Sequence, residues 1–191
     1  MGKAAAILFL ICFVSIFAFA QTKSFAAIDA VLSKNDDTFS NDAKVVKLFN
    51  EERGRLGDDF ESELWKYLGN DVEKHYWISS FVEWEGYLQG NKPLPELAFK
   101  IRLRGVELLA DAEDENSLGK KITFLRDLAV ASYLAGNRDA AIAYKNQATP
   151  IFEKYADIGA SVGATTKYDN CIFDNLEKDP NTCKADEPLK A

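Results

Sequence analysis

The sequence predicts an all-α protein built from antiparallel helix pairs. Three observations carry that expectation. Beyond the first twenty residues, apolar side chains recur at three- and four-residue spacings. No stretch alternates apolar and polar residues as a half-buried strand would. Glycine, proline and acidic or asparagine residues fall between the periodic stretches, where helix stops and starts are expected.

The first segment stands apart from this pattern. Met1-Gly2-Lys3 supplies one positive charge, Ala4 to Phe19 runs without another, and Ala18-Phe19-Ala20 puts small side chains at the two positions a signal peptidase reads. Residues 1–20 are therefore expected to be a cleaved export signal, with Gln21 opening the mature chain and a secreted or periplasmic location. The apolar run of 16 residues is shorter than the roughly 20 that a spanning helix needs, and no basic flank follows it, so no membrane anchor is expected after cleavage. Lipid attachment is disfavoured as well: Cys12 follows Ile11, where a lipobox wants a small residue, and Ala6 stands where myristoylation wants Ser or Thr.

The helices then run in order. Ser24 caps a short one with Phe25, Ile28 and Leu32 on one side, ending before Asn35-Asp36-Asp37. A second fits Asn41 to Leu56, with Val45, Leu48, Phe49, Glu52 and Leu56 at three- and four-residue spacings and Gly57 as its stop. Asp58 or Asp59 caps a third, carrying Phe60, Leu64 and Leu68 and ending at Gly69. Asp71 opens a long aromatic helix to Gln89, stopped by Gly90. Pro93 and Pro95 mark the start of the next, whose apolar face is Leu97, Ile101, Leu108 and Leu109. Asp111 to Asn116 reads as a connection, Ser117 as the start of a helix that closes at Gly136, and Arg138 to Tyr155 as its partner, kinked or divided by Pro150. Thr166 and Asp169 cap a last helix to Leu176. Residues 21–183 are expected to form one helical domain and 184–191 a disordered tail.

Composition narrows the partners. The formal net charge is −7, and the loss of Lys3 with the signal makes the mature chain more negative still. Such a surface repels phosphates and anionic lipid heads, so no nucleic-acid partner is expected. Lys100, Arg102 and Arg104 come closest to a basic patch, but Glu96 and Glu107 share their segment, and the cluster reads as a solvated helix face. Cys171 and Cys183 are the two cysteines left after processing. An even number in an oxidising compartment predicts a disulfide Cys171–Cys183, with Asp179-Pro180-Asn181 turning the chain between them. The two-residue spacing of a reactive dithiol is absent, so the bridge reads as structural.

The helix ends repeat. Tyr67-Leu68-Gly69-Asn70, Tyr87-Leu88-Gln89-Gly90-Asn91 and Tyr133-Leu134-Ala135-Gly136-Asn137 share a Tyr-Leu pair, a glycine and an asparagine. The pair packs a last turn, glycine takes the left-handed stop, and asparagine starts or caps the next helix. The second and third copies stand 46 residues apart between long helices, which points to a repeated hairpin.

Within that hairpin, Leu125 to Ala148 resembles a tetratricopeptide repeat. Leu128-Ala129 is similar to the family's Leu-Gly pair, Gly136-Asn137 to its turn, Ala141-Ile142 to its Ala-Ile and Ala148 to its closing small residue. The preceding hairpin matches less well: Ala98 and Gly105 keep the seven-residue spacing of small residues, but Val82-Glu83 replaces the Leu-Gly pair and the turn after Gly90 is longer. Glu153 stands where the closing proline is expected. The resemblance implies antiparallel pairs in a right-handed stack, a short tetratricopeptide-like repeat domain, with a concave groove for a protein or peptide.

No constellation of catalytic or metal-binding residues is evident, and no cofactor is expected. His75 is the single histidine and sits beside Tyr76 and Trp77 on a helix, where packing is the commoner role. Asp36-Asp37 and Asp111, Glu113, Asp114 and Glu115 offer carboxylates to a hard cation but lack the alternating ligands and glycine of a calcium loop. Glu83 and Glu85, two apart on a helix, point in different directions. The remaining candidate is a binding surface. Trp77, Ser80, Trp84 and Tyr87 recur along one face of the aromatic helix. By the tetratricopeptide alignment this face lines the groove, and Thr123, Arg126, Val130 and Tyr133 are its equivalents one hairpin on. Trp77, Ser80, Trp84, Tyr87, Arg126 and Tyr133 are thus the expected partner-binding residues. The rival reading puts the same aromatics in the core of a structural domain, and a small secreted enzyme is the further alternative.

Overall fold

In a computed structural model of the chain, residues 25–32, 39–89, 94–154 and 167–183 are described, with the side chains of 39–43, 84–89, 154 and 167–169 left aside. Residues 1–20, expected to be an export signal, the stretches around Asn35 and Gly90, Thr166 and residues 184–191 lie outside the described residues. The described secondary structure is helical, without a strand. No described helix is long and apolar enough to cross a membrane. The chain divides into two compact units at Gly69–Asn70, with Leu88 and Gln89 counted with the first.

The first unit holds α1 (Ala26–Leu32), α2 (Phe39–Leu56), a 3-10 turn (Gly57–Asp59) and α3 (Phe60–Leu68). Helix α1 buries Phe25, Ile28 and Val31, one position round from the face expected with Leu32, and packs on α2, where Val45, Val46 and Phe49 are buried. The aromatic rings lock this unit. Phe60 meets Phe49 edge-on at 5.1 Å, and Phe25 stacks on Tyr67 at 4.6 Å while the Tyr67 hydroxyl donates to Asp29. Phe60, Leu64 and Leu68 are buried as their spacing predicts.

The second unit holds α4 (Val72–Gln89), α5 (Pro95–Leu108), α6 (Glu115–Leu134), α7 (Arg138–Lys154), α8 (Lys167–Asn175) and a 3-10 turn (Pro180–Thr182). Helix α6 is its centre and packs against α5, α7 and α8. It begins two residues before Ser117, because the Asp114 carboxylate accepts from Ser117 N at 3.0 Å and so caps the acidic stretch expected to be a connection. Its end is a Schellman turn: Asn137 N donates to Ser132 O and Gly136 N to Tyr133 O, each at 2.9 Å, with Gly136 at φ +81°. Asn137 Oδ1 then accepts from Ala140 N, capping α7. Helix α7 continues through Pro150 to Lys154 without dividing.

Small residues let these helices approach. Ala129 on α6 and Ala141 and Ala148 on α7 have no exposed surface. Helix α8 covers this pair, burying Ile172, Phe173 and Leu176 in one cluster with Leu125, Ala129 and Val130. Phe152 lies 6.1 Å from the Phe173 ring, and Lys145 Nζ stands over that ring at 5.7 Å. The disulfide Cys171–Cys183 is present and ties the final turn to α8.

Helices α5 and α6 approach closely at Gly105. A Cβ there would stand 2.5 Å from Phe124 Cε2, and Phe124 is itself buried with its ring edge-on to Tyr76 at 6.0 Å. Gly105→Ala should therefore destabilise the protein: overpacking costs about 1–3 kcal/mol, offset by up to about 1 kcal/mol of helix propensity. Gly54→Ala, with nothing within 4 Å of its Cβ, should instead stabilise by about 0.4–1 kcal/mol. Urea denaturation of both variants checks the contrast.

Candidate functional site

The expected binding residues on α4 begin at half-buried aromatics. Trp77 donates from Nε1 to Glu73 at 2.8 Å and lies face to face with Phe81, ring centres 6.4 Å apart. Tyr76 meets Trp77 edge-on at 5.3 Å. Ser80 is half-buried, its hydroxyl donating to Tyr76 O at 3.4 Å. The side chains of Trp84 and Tyr87 lie outside those described.

On α6, Thr123, Arg126 and Val130 are buried, and Tyr133 is half-buried with its hydroxyl donating to Asn181 Oδ1 at 2.9 Å. Among the described residues no hydrogen bond or ring contact joins Trp77 or Ser80 to Arg126 or Tyr133. Trp77, Ser80 and Tyr133 thus retain some surface, whereas the Arg126 side chain retains 5%.

Arg126 belongs to a charged network between α4, α5 and α6. Arg102, whose side chain is 3% exposed, pairs through Nη2 with Glu83 and reaches Asp127 Oδ2 at 3.2 Å. Asp127 also receives Arg126 Nη2 at 3.4 Å, while Arg126 Nε is buried without a hydrogen-bond partner. One carboxylate thus faces two guanidiniums. Burial pushes the Asp127 carboxyl up, and the two arginines pull it the other way. Burial also raises the neighbouring Tyr76 phenol, with the charge of Asp127 adding to the effect and Arg126 easing it.

The segment expected to be a solvated face is therefore split. Arg104 keeps 43% of its side-chain surface and bonds Asn70 at 3.2 Å, as a solvated face would allow, but Arg102 is buried. Helical spacing is the signal in the sequence that marks the difference, since Arg102 lies four residues after Ala98 and three before Gly105, both buried.

Comparison with models of known families, with curated proteins and with solved structures finds no match. Among the described residues no three His, Cys, Asp or Glu side chains gather as metal ligands would. His75 is fully buried in the first turn of α4, with Nδ1 2.8 Å from Asp71 O. That carbonyl is an acceptor, so Nδ1 carries the proton of the neutral ring. Burial lowers its pKa, and the Asp71 carbonyl only partly opposes the shift.

The buried charges can be tested by substitution. Asp127→Asn leaves two buried guanidiniums without their shared counter-charge and should cost about 3–5 kcal/mol. Glu83→Gln, at a side chain 41% exposed, should cost about 1 kcal/mol or less; guanidinium denaturation at pH 7 compares them. For His75, the unfolded chain binds the proton more readily than the folded one, so stability should fall as pH drops below about 6.5. His75→Gln should flatten the difference in unfolding free energy between pH 7.5 and 5.5.

Proposed function

We propose that this chain is an exported helical-repeat-like module that binds a protein or peptide partner. The observation that supports it best is the α6–α7 hairpin, whose Ala129, Ala141 and Ala148 are fully buried at a close-packed seam, as the tetratricopeptide resemblance requires. In that arrangement the residues that keep surface, Trp77, Ser80 and Tyr133, lie on first helices of successive hairpins, where the resemblance puts the groove. Large rigid side chains such as Trp and Tyr bind at small entropic cost. The disulfide is compatible with an oxidising location outside the cytoplasm.

A second reading is favoured by the burial of Thr123, Arg126 and Val130. In it the same face serves packing alone, and the protein is a structural helical domain without a groove.

Truncation separates the two. If Trp84 and Tyr87 line a groove, changing both to Ala should cost less than about 1 kcal/mol and abolish retention of the partner that the parent protein captures from its own compartment. If they are core, each change should cost roughly 3–5 kcal/mol. Leu128, fully buried, is the control: Leu128→Ala should cost about 2–5 kcal/mol under either reading. A double variant that unfolds removes the groove, and one that folds and still binds places the partner surface elsewhere.

A further inference from the structure

The described part of the chain ends in a turn whose attachment differs from that of the helix before it. Helix α8 and the residue after it are anchored by Ile172, Phe173 and Leu176, all buried in one cluster with residues of α6 and α7. The turn after it, Glu177–Cys183, has fewer holds. Pro180 is buried, Asn181 accepts from Tyr133, and Arg138 Nη2 donates to Lys178 O at 3.2 Å. Glu177, Lys178, Asp179, Asn181 and Thr182 are exposed. Glu177 also lies 3.8 Å from Lys145 Nζ, Cys183 packs against the apolar cluster, and the bridge from Cys183 to Cys171, twelve residues apart in sequence, adds a covalent hold.

The bridge also has an asymmetric environment. Asn175 Nδ2, one turn along α8, donates to Cys171 O at 2.9 Å and faces Cys171 Sγ at 3.8 Å. An N–H donor beside one sulfur of a disulfide stabilises negative charge there and makes that sulfur the better leaving group. Both cysteines are half-buried, so neither residue is fully enclosed.

We propose that the turn Glu177–Cys183 is a redox-released strap: reduction of Cys171–Cys183 by a dithiol lifts it from the end of α6 and frees Tyr133 for a partner. A thiolate of the dithiol attacks Cys183 Sγ, the S–S bond breaks, and Cys171 departs as a thiolate beside Asn175. The second thiol then displaces Cys183 from the mixed disulfide. The dithiol leaves as its cyclic disulfide, having given two electrons, and the protons from its two thiols end on Cys171 and Cys183. The protein is the substrate of this exchange, which agrees with its lack of a closely spaced dithiol. Helix α8 stays docked throughout, because its own apolar burial does not depend on the bridge.

The purpose assigned to release rests on the reading of Tyr133 as part of a partner surface, but the strap is testable with no partner present. The probe is dithiothreitol acting on the mature protein, followed by alkylation of the freed thiols. Hydrogen exchange of the amides of residues 178–183 should accelerate at least tenfold, while residues 172–176 and α6 keep their protection. Nitration of Tyr133 by tetranitromethane, read by peptide mass, should rise several-fold in the same sample. Asn175→Ala should slow the reduction by at least threefold. Unchanged exchange in the turn, or loss of α8 along with it, overturns the strap; an unchanged reduction rate in Asn175→Ala overturns the choice of Cys171 as the leaving sulfur. Failure of the binding reading shows elsewhere, in the Trp84 and Tyr87 double variant.

Discussion

A single carboxylate between two buried guanidiniums sets the terms for the second unit. Helix α6 is covered by neighbours along most of its length, so it has little wet face on which to place polar side chains. Arg126 is carried inward with the apolar residues, and Arg102 comes inward from α5. Buried guanidiniums without counter-charge are costly, so Asp127 and Glu83 have to be where they are. Apolar contacts alone would tolerate a slip of one turn, about 5.4 Å, of one helix along another. Such a slip would part Arg102 from Asp127 and strand both charges, and this directional penalty favours one register for α4, α5 and α6.

The steric constraint acts at the same place. Gly105 on α5 leaves room for the Phe124 ring on α6, and Phe124 in turn meets Tyr76 on α4. Three helices therefore meet around the Phe124 ring, and Asp127, three residues on, joins α5 to α6. Toward its C-terminal half, α6 uses alanine to meet α7, and there the packing is apolar with α8 closing the cluster. A helix with a polar, register-setting half and an apolar, close-packing half can hold its neighbours by different means at its two ends.

These constraints bear on how a binding role could operate. Arg126, which resemblance places on a groove, is engaged with Asp127 and almost fully covered, so recognition through it would require the network to open. Trp77 and Ser80 need no such change. Tyr133 is occupied by Asn181, and its availability is therefore coupled to the C-terminal turn rather than to the core.

Helix identity and most boundaries were legible in the sequence because they depend on local chemistry. Gly136 and Asn137 specify their own turn and cap through backbone geometry within a few residues, and Phe60, Leu64 and Leu68 mark an inward face by spacing alone. The cysteine pair was legible because only Cys171 and Cys183 follow the first twenty residues and the chain can turn between them. Local letters were not sufficient where two residues of one type meet different surroundings. Arg102 has the same intrinsic chemistry as Arg104, two residues away, yet one is buried and paired and the other faces water. The sequence by itself determined where helices form, where they stop and which cysteines can meet, since those are short-range matters of backbone and spacing. Whether a charged residue on a helix face is covered, and which partner it meets there, was decided only by the tertiary structure, because burial is a property of the neighbours that pack around a residue and not of the residue itself.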